Sequence, residues 1–459
     1  MDRDGLTVVP EAIPVPVSEF VPVSGTVPGS EPAAPAEEPP AGGQAGRASR
    51  GGSFRALRSK PFRLYFAGQV ASASGTFLQQ TAIGWLVLKL TGSAAELGLV
   101  LAVGGVPSLL FGPWGGTIAD RVDLRRLLVG TQLAFGLLAG LLWALAVAGK
   151  ASVPVIVAIS VAGGVVQIVD SPARQAFVGS LVTPGDLSSA VSLNGVVMNS
   201  ARVVGPALAG ALIVTVGTTP CFGINALSYL GVIAALIALR PLRPTRPHRD
   251  AGGVRAAVRY ARGREQLWVP LVMMALVGLL AFNFNVILPV LAADTFHGSG
   301  GTYGLLTTML SIGSVLGSLG VGLIGHPRRK YLVYAALAFG LGLVATAAAP
   351  DAAVACVTLL ATGVAAFSFV TLASTTLQLH SSPAYRGRIM ALWVFVYIGT
   401  TPLGSIIDGA ITKAGGTRAA LLTGAAACLI AAGIAALVRT PPHPDAALTD
   451  LVQPSGRPS

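Results

Sequence analysis

The chain is 459 residues long, 53% hydrophobic and only 11% charged, and its mean hydropathy is +0.71. Soluble globular proteins carry about 25% charged residues, so this chain has too few to cover a water-facing surface and its composition predicts an integral membrane protein. The net charge of +12 would also suit a protein that binds nucleic acid, and the positions of the arginines decide between the two.

Twelve apolar runs follow one another along the chain, each close to the roughly 20 residues that a membrane-spanning helix needs. They lie at residues 64–88, 96–118, 127–148, 152–173, 188–215, 220–239, 268–292, 303–325, 331–349, 353–378, 389–412 and 418–438. The first fifty residues contain nine prolines and no apolar stretch long enough for the core of a signal peptide. We therefore expect a disordered cytoplasmic tail over residues 1–53, and a second one over residues 440–459.

Lysine and arginine are strongly biased toward one side of the predicted spans. Twenty-four of them flank the spans on that side, and only Lys89, Lys150, Lys413 and Arg418 fall on the other. Cytoplasmic loops carry an excess of these residues, so we expect both termini in the cytoplasm of a bacterial cell, with the spans in its cytoplasmic membrane. The basic net charge then reflects membrane topology, and we expect no nucleic-acid partner.

The longest interior connection, residues 240–267, divides the spans into two sets of six, at residues 54–239 and 268–439. Within this connection, the stretch GGVRAAVRYARGRE places Val254, Ala257 and Val258 on one helical face and several arginines on another. This pattern predicts an amphipathic helix that lies against anionic lipid headgroups. The alternative is a disordered linker.

The two halves also resemble each other. DSPARQAF (170–177) is similar to SSPAYRGR (381–388), and VVGPALAGALI (203–213) is similar to GTTPLGSIIDGAI (399–411), with Pro206 matching Pro402. The loop GGTIADRVDLRR (115–126) has a weaker counterpart in GLIGHPRRK (322–330). These pairs predict a duplicated six-helix unit, an arrangement typical of transporters whose two bundles rock about a site near the bilayer midplane.

The loop between the second and third spans resembles the corresponding loop of the major facilitator superfamily. The matching residues are Gly116, Asp120, Arg121, Arg125 and Arg126. DSPARQAFVGSLV, NSARVVGPALAGALIVTVG and PAYRGRIMAL resemble the branch of that superfamily that contains the enterobactin exporter and many macrolide and drug efflux permeases. The resemblance covers residues 54–439. It implies an all-α membrane fold of twelve transmembrane helices in two pseudo-symmetric six-helix bundles, and export of an amphipathic small molecule in exchange for protons.

The resemblance also implies roles for individual residues. The five loop residues would form an interdomain latch, in which Asp120 accepts hydrogen bonds from a helix N-terminus in the opposite bundle and holds the cytoplasmic side closed. A plain solvated turn is the alternative, and Asp123 stands where the family often has glycine. Gly205, Pro206 and Gly210 form a degenerate version of the antiporter motif of the fifth helix.

Ionisable residues inside membrane spans are functional candidates. Arg202 lies near the middle of the fifth span, where it would pair with an acid in the cavity, bind an anionic group of the substrate, or lock two helices together. Asp170 and Arg174 are four residues apart on one helical face, and form either a local pair or a cytoplasmic gate that exchanges partners with Arg202. Asp408 either binds protons during coupling or lies hydrated near the outer mouth.

Polar and aromatic side chains inside other spans are candidates for a substrate cavity, because a mostly apolar pocket with a few polar groups suits an amphipathic ligand. Any one of them taken singly is also explained by a helix–helix contact. The candidates are Gln79, Gln80, Gln167, Asn194, Asn199, Phe282, Asn283, Phe284 and Asn285.

Other classes of function find little support in the sequence. The three cysteines lie apart in apolar runs, which argues against a zinc site or a disulfide framework. No Walker A loop is present, and no nucleophile–base pair or metal-ligand cluster points to an enzyme. We therefore expect a monomeric exporter without a cofactor or metal. The alternatives are an importer or uniporter of a small metabolite, and a transporter-like membrane sensor.

Overall fold

The computed structural model describes residues 55–119, 122–183, 186–239, 254–322 and 328–438, and these residues are almost entirely helical. After a short 3-10 helix at Arg55–Arg58, the first half contains α1 (Lys60–Thr91), α2 (Ala94–Ala119), α3 (Leu124–Val147), α4 (Val153–Ser180), α5 (Leu187–Thr215) and α6 (Thr219–Ala238). The second half contains α7 (Val254–Arg262), α8 (Glu265–Leu280), α9 (Phe284–Val290), α10 (Gly300–Gly322), α11 (Arg329–Ala347), α12 (Ala352–His380) and α13 (Pro383–Leu437). The predicted tails at residues 1–53 and 440–459 and most of the linker lie outside the described residues.

Within the described ranges, ten helices are long and apolar enough to cross a membrane. The last of them covers 53 residues, or about 80 Å at 1.5 Å per residue, which is more than twice the roughly 30 Å of a bilayer core. It is interrupted at Gly416, whose φ of 78° lies in the left-handed region that glycine adopts without strain. With α13 divided there, and with the 32-residue but more polar α1, the architecture is consistent with twelve spans and confirms the predicted all-helical membrane fold.

The helices form two bundles. In the first, α1 packs on α5 and α6, α2 packs on α4, and α3 lies between α4 and α6. In the second, α8, α10, α11, α12 and α13 pack around one continuous hydrophobic core. The bundles meet chiefly where α2 packs on α13 and where α5 packs on α10. These two contacts occupy equivalent places in the predicted sequence repeat.

Short connections make successive helices antiparallel, so the helix ends fall into two groups. The arginine-rich end holds the start of α1, the α2–α3 and α4–α5 connections, and the starts of α8, α11 and α13. The far end holds the α1–α2, α3–α4, α5–α6 and α11–α12 connections, the start of α10 and the break at Gly416. These two names are used below for the two ends of the molecule.

The seventh span departs from its prediction as one continuous run. It is broken between α8 and α9, at Ala281, Phe282 and Asn283, and it ends in a π-helical turn at Leu291–Thr295. Asn283 has φ −89° and ψ 42°, which is not a helical conformation. The amide of its side chain donates to the carbonyl of Leu279 at 2.8 Å, and so satisfies one backbone group in the turn before the break.

Within the linker, residues Val254–Arg262 form the helix α7, whose buried face packs on protein. Ala257 and Ala261 are buried, and the Tyr260 ring stacks on the Tyr385 ring with centroids 4.1 Å apart. The backbone N–H of Ser382 donates to the Tyr260 hydroxyl at 3.1 Å. Since Tyr385 and Ser382 lie at the start of α13, α7 is attached to the second bundle.

Candidate transport site

The two bundles are in close contact at the far end. At the α5–α10 contact, a Cβ atom on Gly210 would lie 2.9 Å from the Cα atom of Gly304. At the α2–α13 contact, a Cβ atom on Gly409 would lie 2.9 Å from the carbonyl oxygen of Ala94. Both approaches are closer than a real Cβ atom allows, so glycine is required at these positions.

At the arginine-rich end, the described residues give no comparably close contact between these four helices. Each carries a glycine in that half, at Gly112, Gly195, Gly320 and Gly387, and a Cβ atom at any of them would meet no described atom within 4 Å. The close contacts between the bundles that the described residues give therefore lie toward the far end. In this structure, contacts between the two bundles close the far end.

Aromatic rings reinforce the closed end. Trp85 of α1 stacks on Tyr303 of α10, with ring centroids 6.2 Å apart and planes at 16°, and both side chains are buried. In the fifth-helix motif, Gly205 faces the α1 backbone at Phe77, whereas Pro206 and Gly210 face Gly304 across the bundle boundary. The motif residues thus pack helices within one bundle and between the two.

Arg202 lies between the bundles near the middle of α5. Its guanidinium carbon is 5.7 Å from the ring centroid of Phe77 on α1 and 4.9 Å from that of Phe367 on α12. Both distances are within the range of a cation–π contact. Among the described residues Arg202 forms no salt bridge, and the ion pairs recorded there are Arg55–Asp186 and Arg174–Asp170. Its positive charge therefore faces aromatic rings and has no described carboxylate partner.

Phe282, in the break of the seventh span, is the hub of a cluster of rings in the second bundle. Its centroid lies 5.2 Å from that of Phe339, 5.9 Å from Tyr397, 6.0 Å from Phe367 and 6.5 Å from Phe284. These five residues are called the ring cluster below. Because Phe367 also contacts Arg202, the cluster extends from the second bundle to a guanidinium of the first.

Asn283 and Asp408 form a buried pair beside the ring cluster. The Asn283 side chain donates to Asp408 Oδ2 at 2.8 Å, and the two residues are 2% and 0% exposed. Asp408 is therefore shielded from the surface of the molecule in this structure. Asn283 is an internal partner of this carboxylate and does not line an open cavity.

Asp170 is also fully buried, but it is surrounded by donors from its own bundle. Thr131 and Gln132 of α3 donate to its Oδ1 at 2.7 and 2.8 Å. The Arg174 guanidinium donates to its Oδ2, from Nε at 3.2 Å and also from Nη2. Arg174 reaches Gln69 of α1 at 3.5 Å as well, so the pair connects α1, α3 and α4. No contact with Arg202 is recorded among the described groups.

The predicted latch is described only in part. Asp120 and Arg121 lie outside the described residues, and only the helical backbone of Gly116 is described. Arg126 is exposed, and Arg125 donates to the carbonyls of Leu236 and Ile237 at the end of α6, both at 2.6 Å. Arg125 thus binds its own bundle in this structure. The Asp123 side chain accepts from the Arg126 N–H at 2.9 Å, which makes Asp123 the N-cap of α3.

The other cavity candidates separate into three environments. Gln79 accepts from the Asn225 side chain at 2.8 Å, which is a helix–helix contact inside the first bundle. Gln80, Gln167 and Asn285 are exposed, and Asn194 and Asn199 are partly exposed. Within the described ranges, no three His, Cys, Asp or Glu side chains are grouped as metal ligands would be.

Several residues of the site had no signal in the sequence. Phe77, Phe367 and Tyr397 read as ordinary apolar residues of their spans, and Thr131 and Gln132 read as isolated polar ones. In the sequence, only the charged residues Arg202 and Asp170 indicated that these parts of the spans could be functional. A rule that searches for aromatic and amide residues wherever an ionisable residue interrupts a span would have proposed them.

Comparison with known proteins gives a consistent result. The family described as transmembrane secretion effector matches residues 51–454. The staphyloferrin A transporter of Staphylococcus aureus (strain NCTC 8325 / PS 47) is 28% identical over 265 residues, which are 56% of this chain and 66% of that transporter, just under two thirds of its length. Macrolide efflux protein A of Streptococcus pyogenes is 23% identical over 360 residues, which are 76% of this chain and 88% of that protein.

Solved structures of low sequence identity share the fold. A bacterial homolog of the human lysosomal transporter Spinster, in an inward-facing and unoccupied conformation, superposes with a TM-score of 0.69 at 14% identity. The match covers 82% of this chain and 97% of that one.

Proposed function

Because the chain belongs to the transmembrane secretion effector family of the major facilitator superfamily, we propose that it is a secondary active exporter of an amphipathic small molecule. This is a family of membrane transporters and not of enzymes. Two similar proteins carry the names staphyloferrin A transporter and macrolide efflux protein A. They support a drug, an antibiotic or a siderophore-like metabolite as the substrate.

One observation supports the proposal: the closest described contacts between the bundles lie at the far end, at Gly98, Gly210, Gly304 and Gly409. We place the arginine-rich end in the cytoplasm by the bias of positive charge toward cytoplasmic loops. On that assignment both termini are cytoplasmic, and the structure is an inward-facing state of a protein in a bacterial cytoplasmic membrane. Export requires a second state, in which the far end opens and the arginine-rich end closes.

The residues of the proposed latch close the arginine-rich end in that second state. Asp120, Arg121 and Arg125, with Gly116 and Arg126, would then form contacts across the bundle boundary. For Arg125 the change is concrete, because it must leave the two α6 carbonyls that it binds here. We propose that Asp170 and Arg174 support this end as a gate, acting through the first bundle to which their contacts belong.

We propose that the substrate binds at the surface that Arg202 and the ring cluster form together. A guanidinium over aromatic rings, beside further rings, presents a large apolar surface together with one positive charge. An amphipathic molecule with an anionic group matches both features. Protons are the proposed driving ion, with Arg202 and Asp408 as the coupling residues.

We also propose that the exposed side of α7 faces anionic lipid headgroups and that the protein acts as a monomer. Arg259 and Arg262 are exposed opposite the buried alanines of α7. The Arg262 guanidinium lies 5.5 Å from the ring centroid of Trp268, a residue type enriched at membrane interfaces. Together they form a basic, aromatic surface next to the start of α8.

Transport into inside-out membrane vesicles tests the proposal. The probes are erythromycin and pyrenebutyrate, each measured with vesicles that contain the protein and with matched vesicles that lack it. We expect protein-dependent accumulation of at least one probe, and collapse of that accumulation when a protonophore dissipates the proton gradient. Accumulation that is indifferent to the gradient would contradict proton antiport. A protein that binds a probe in a thermal-shift assay but does not move it in liposomes would be a sensor and not an exporter.

A further inference from the structure

The Asp408 carboxylate is buried, and few described groups compensate its negative charge. Its only hydrogen-bond donor among the described residues is the Asn283 side chain, on Oδ2. The other oxygen, Oδ1, is buried and has no described partner. An isolated ionised carboxylate in apolar surroundings is costly, so this group requires either a cation or a bound proton.

Two further buried oxygens accompany that carboxylate. Asn283 Oδ1 and Thr412 Oγ1 also have no described hydrogen-bond partner. Thr412 follows Asp408 by four residues on α13, and therefore lies on the same helical face. Asn283 reaches Asp408 from the break in the seventh span, where the chain leaves the helix. Asn283 and Asp408 are in contact, and Thr412 lies one turn further along α13; these three residues are called the Asp408 cluster below.

No charged side chain of the packing elements is recorded in contact with Asp408. The elements against this part of α13 are α2, α8, and α9 with its π-helical turn. Their charged residues are Glu96, Glu265 and Asp294, and the nearest one along α13 is Lys413. All four are exposed, and the described ion pairs include none of them. Within the described residues, the carboxylate of Asp408 therefore has no charged partner.

The cluster lies directly beside the closed contact between the bundles. Gly404 packs against Leu279 and Asn283 of the second bundle, and Gly409 packs against Ala94 and Gly98 of α2. The turn of α13 that carries Asp408 is therefore enclosed on one side by the seventh span. On another side it is covered by α2, which belongs to the opposite bundle.

We propose that the Asp408 cluster is a proton-binding site that α2 covers when the bundles meet at the far end, and that opens to the far side when they separate. The proton adds to Oδ1 of the carboxylate and forms an O–H bond, with no other reactant. The neutral acid suits the closed contact, whereas the ionised carboxylate favours water and hence an open far end. The inference deepens the proposed function, since it rests on a movement of the two bundles.

Distance measurements between the bundles test this site without a transported substrate. Lys89 on α1 and Lys413 on α13 are both exposed at the far end, one on each bundle. They are replaced by cysteine and spin-labelled in the full-length protein in nanodiscs, with the three native cysteines left in place because they are buried. Protein with Lys89→Cys alone measures labelling of these native thiols. We expect the distance distribution to shift toward longer values as the pH is raised.

Asp408→Asn in the labelled protein is the decisive variant. Because the amide resembles the neutral acid, we expect the short distance between the two spin labels at every pH. The matched variant Asp294→Asn should keep the shift of this distance with pH. A wild-type distance that ignores pH, or a response that survives Asp408→Asn, overturns the proposal. A shift produced by Na⁺ at constant pH also overturns it, because the bound cation would then be a metal ion.

Asn283→Ala provides an independent test that is also available if Asp408→Asn does not fold. It removes the only described donor to the carboxylate, so we expect opening to require a higher pH. An unchanged pH response in this variant overturns the proposal. A pH-dependent distance without any export would leave the site intact and refute the proposed function, so the two failures are distinguishable.

Discussion

The two fully buried acids among the described residues have opposite environments. Asp170, in the first bundle, accepts from Thr131 and Gln132 on one oxygen and from the Arg174 guanidinium on the other. Asp408, in the second bundle, accepts from one amide on Oδ2 and has no described partner on Oδ1. Both lie in apolar helices, and burial alone does not distinguish them.

The difference indicates that Asp170 has a structural role, whereas Asp408 is available to change its charge. Asp170 has a countercharge and a full set of donors, so either a proton or a new partner would have to displace existing bonds. Asp408 keeps its described hydrogen bond when a proton adds to Oδ1. The acid of the first bundle is thus suited to keep α1, α3 and α4 together while the bundle moves, and the acid of the second bundle is suited to respond to protons.

The largest effect expected from this comparison is on Asp170. Asp170→Asn leaves the Arg174 guanidinium without its carboxylate, and breaking a buried pair by removing one partner costs about 3–5 kcal/mol. We expect the free energy of unfolding in detergent to fall by that amount. Denaturant titration followed by tryptophan fluorescence measures it.

A double-mutant cycle controls this prediction. Arg174→Gln removes the other partner, and the double variant removes both charges. Since the residues are in contact, we expect the combined loss to be clearly smaller than the sum of the single losses. Additive losses, or a loss below about 1 kcal/mol for Asp170→Asn, would show that the pair does not hold the bundle together.

Arg202 gives the next largest effect, because its guanidinium has no carboxylate partner among the described residues. A hydrogen bond to a charged group contributes about 1.5–3 kcal/mol, which corresponds to roughly ten- to hundredfold in affinity. We expect Arg202→Gln to weaken binding of pyrenebutyrate by this factor while binding of its methyl ester stays nearly unchanged. Fluorescence titration of the purified protein measures both affinities.

Arg388→Gln is the matched control, since Arg388 also lies over an aromatic ring, that of Tyr385 at 5.1 Å, but at the arginine-rich end of α13. It should change neither affinity. An equal loss for the acid and the ester in Arg202→Gln would assign this arginine to packing and not to recognition of an anion.

Asp123 extends the comparison to an exposed acid, with a smaller effect. Its carboxylate caps the first turn of α3, and loss of such a cap costs about 1 kcal/mol. We expect Asp123→Ala to lower the free energy of unfolding by about that amount. Ser152→Ala is the control, because Ser152 occupies the N-cap of α4 without a side-chain hydrogen bond and its removal should cost much less.

The spans and the pairing of the halves follow from the sequence because both depend on local patterns. Runs of about 20 apolar residues predict helices in a membrane, and the matched prolines Pro206 and Pro402 do lie at equivalent bundle contacts. The described part of residues 240–267 includes the helix α7, which packs on α13. The buried face of α7 carries Ala257 and Ala261, and such small residues give no signal in the sequence of a contact with another helix.

The break in the seventh span and the partners of the ionisable residues do not follow from the sequence. No proline marks Ala281 to Asn283, and the amide that stabilises the break is an ordinary polar residue in the pattern. Asn283 and Asp408 are 125 positions apart, so their pairing is a product of tertiary packing. The sequence located the charges, whereas the fold determines whether each of them is compensated.

The smallest effect is expected at Asp408 itself, and it is the sharpest test of the comparison. Asp408→Asn keeps the shape of the side chain and an oxygen that accepts from Asn283, and it removes a charge that no described group compensates. We therefore expect the free energy of unfolding to change by less than about 1 kcal/mol, or to rise, since a buried amide is less costly than an isolated ion. The same denaturant titration that measures Asp170→Asn measures it. A loss as large as that of Asp170→Asn would mean that Asp408 has a cationic partner, and the two acids would then be equivalent in kind.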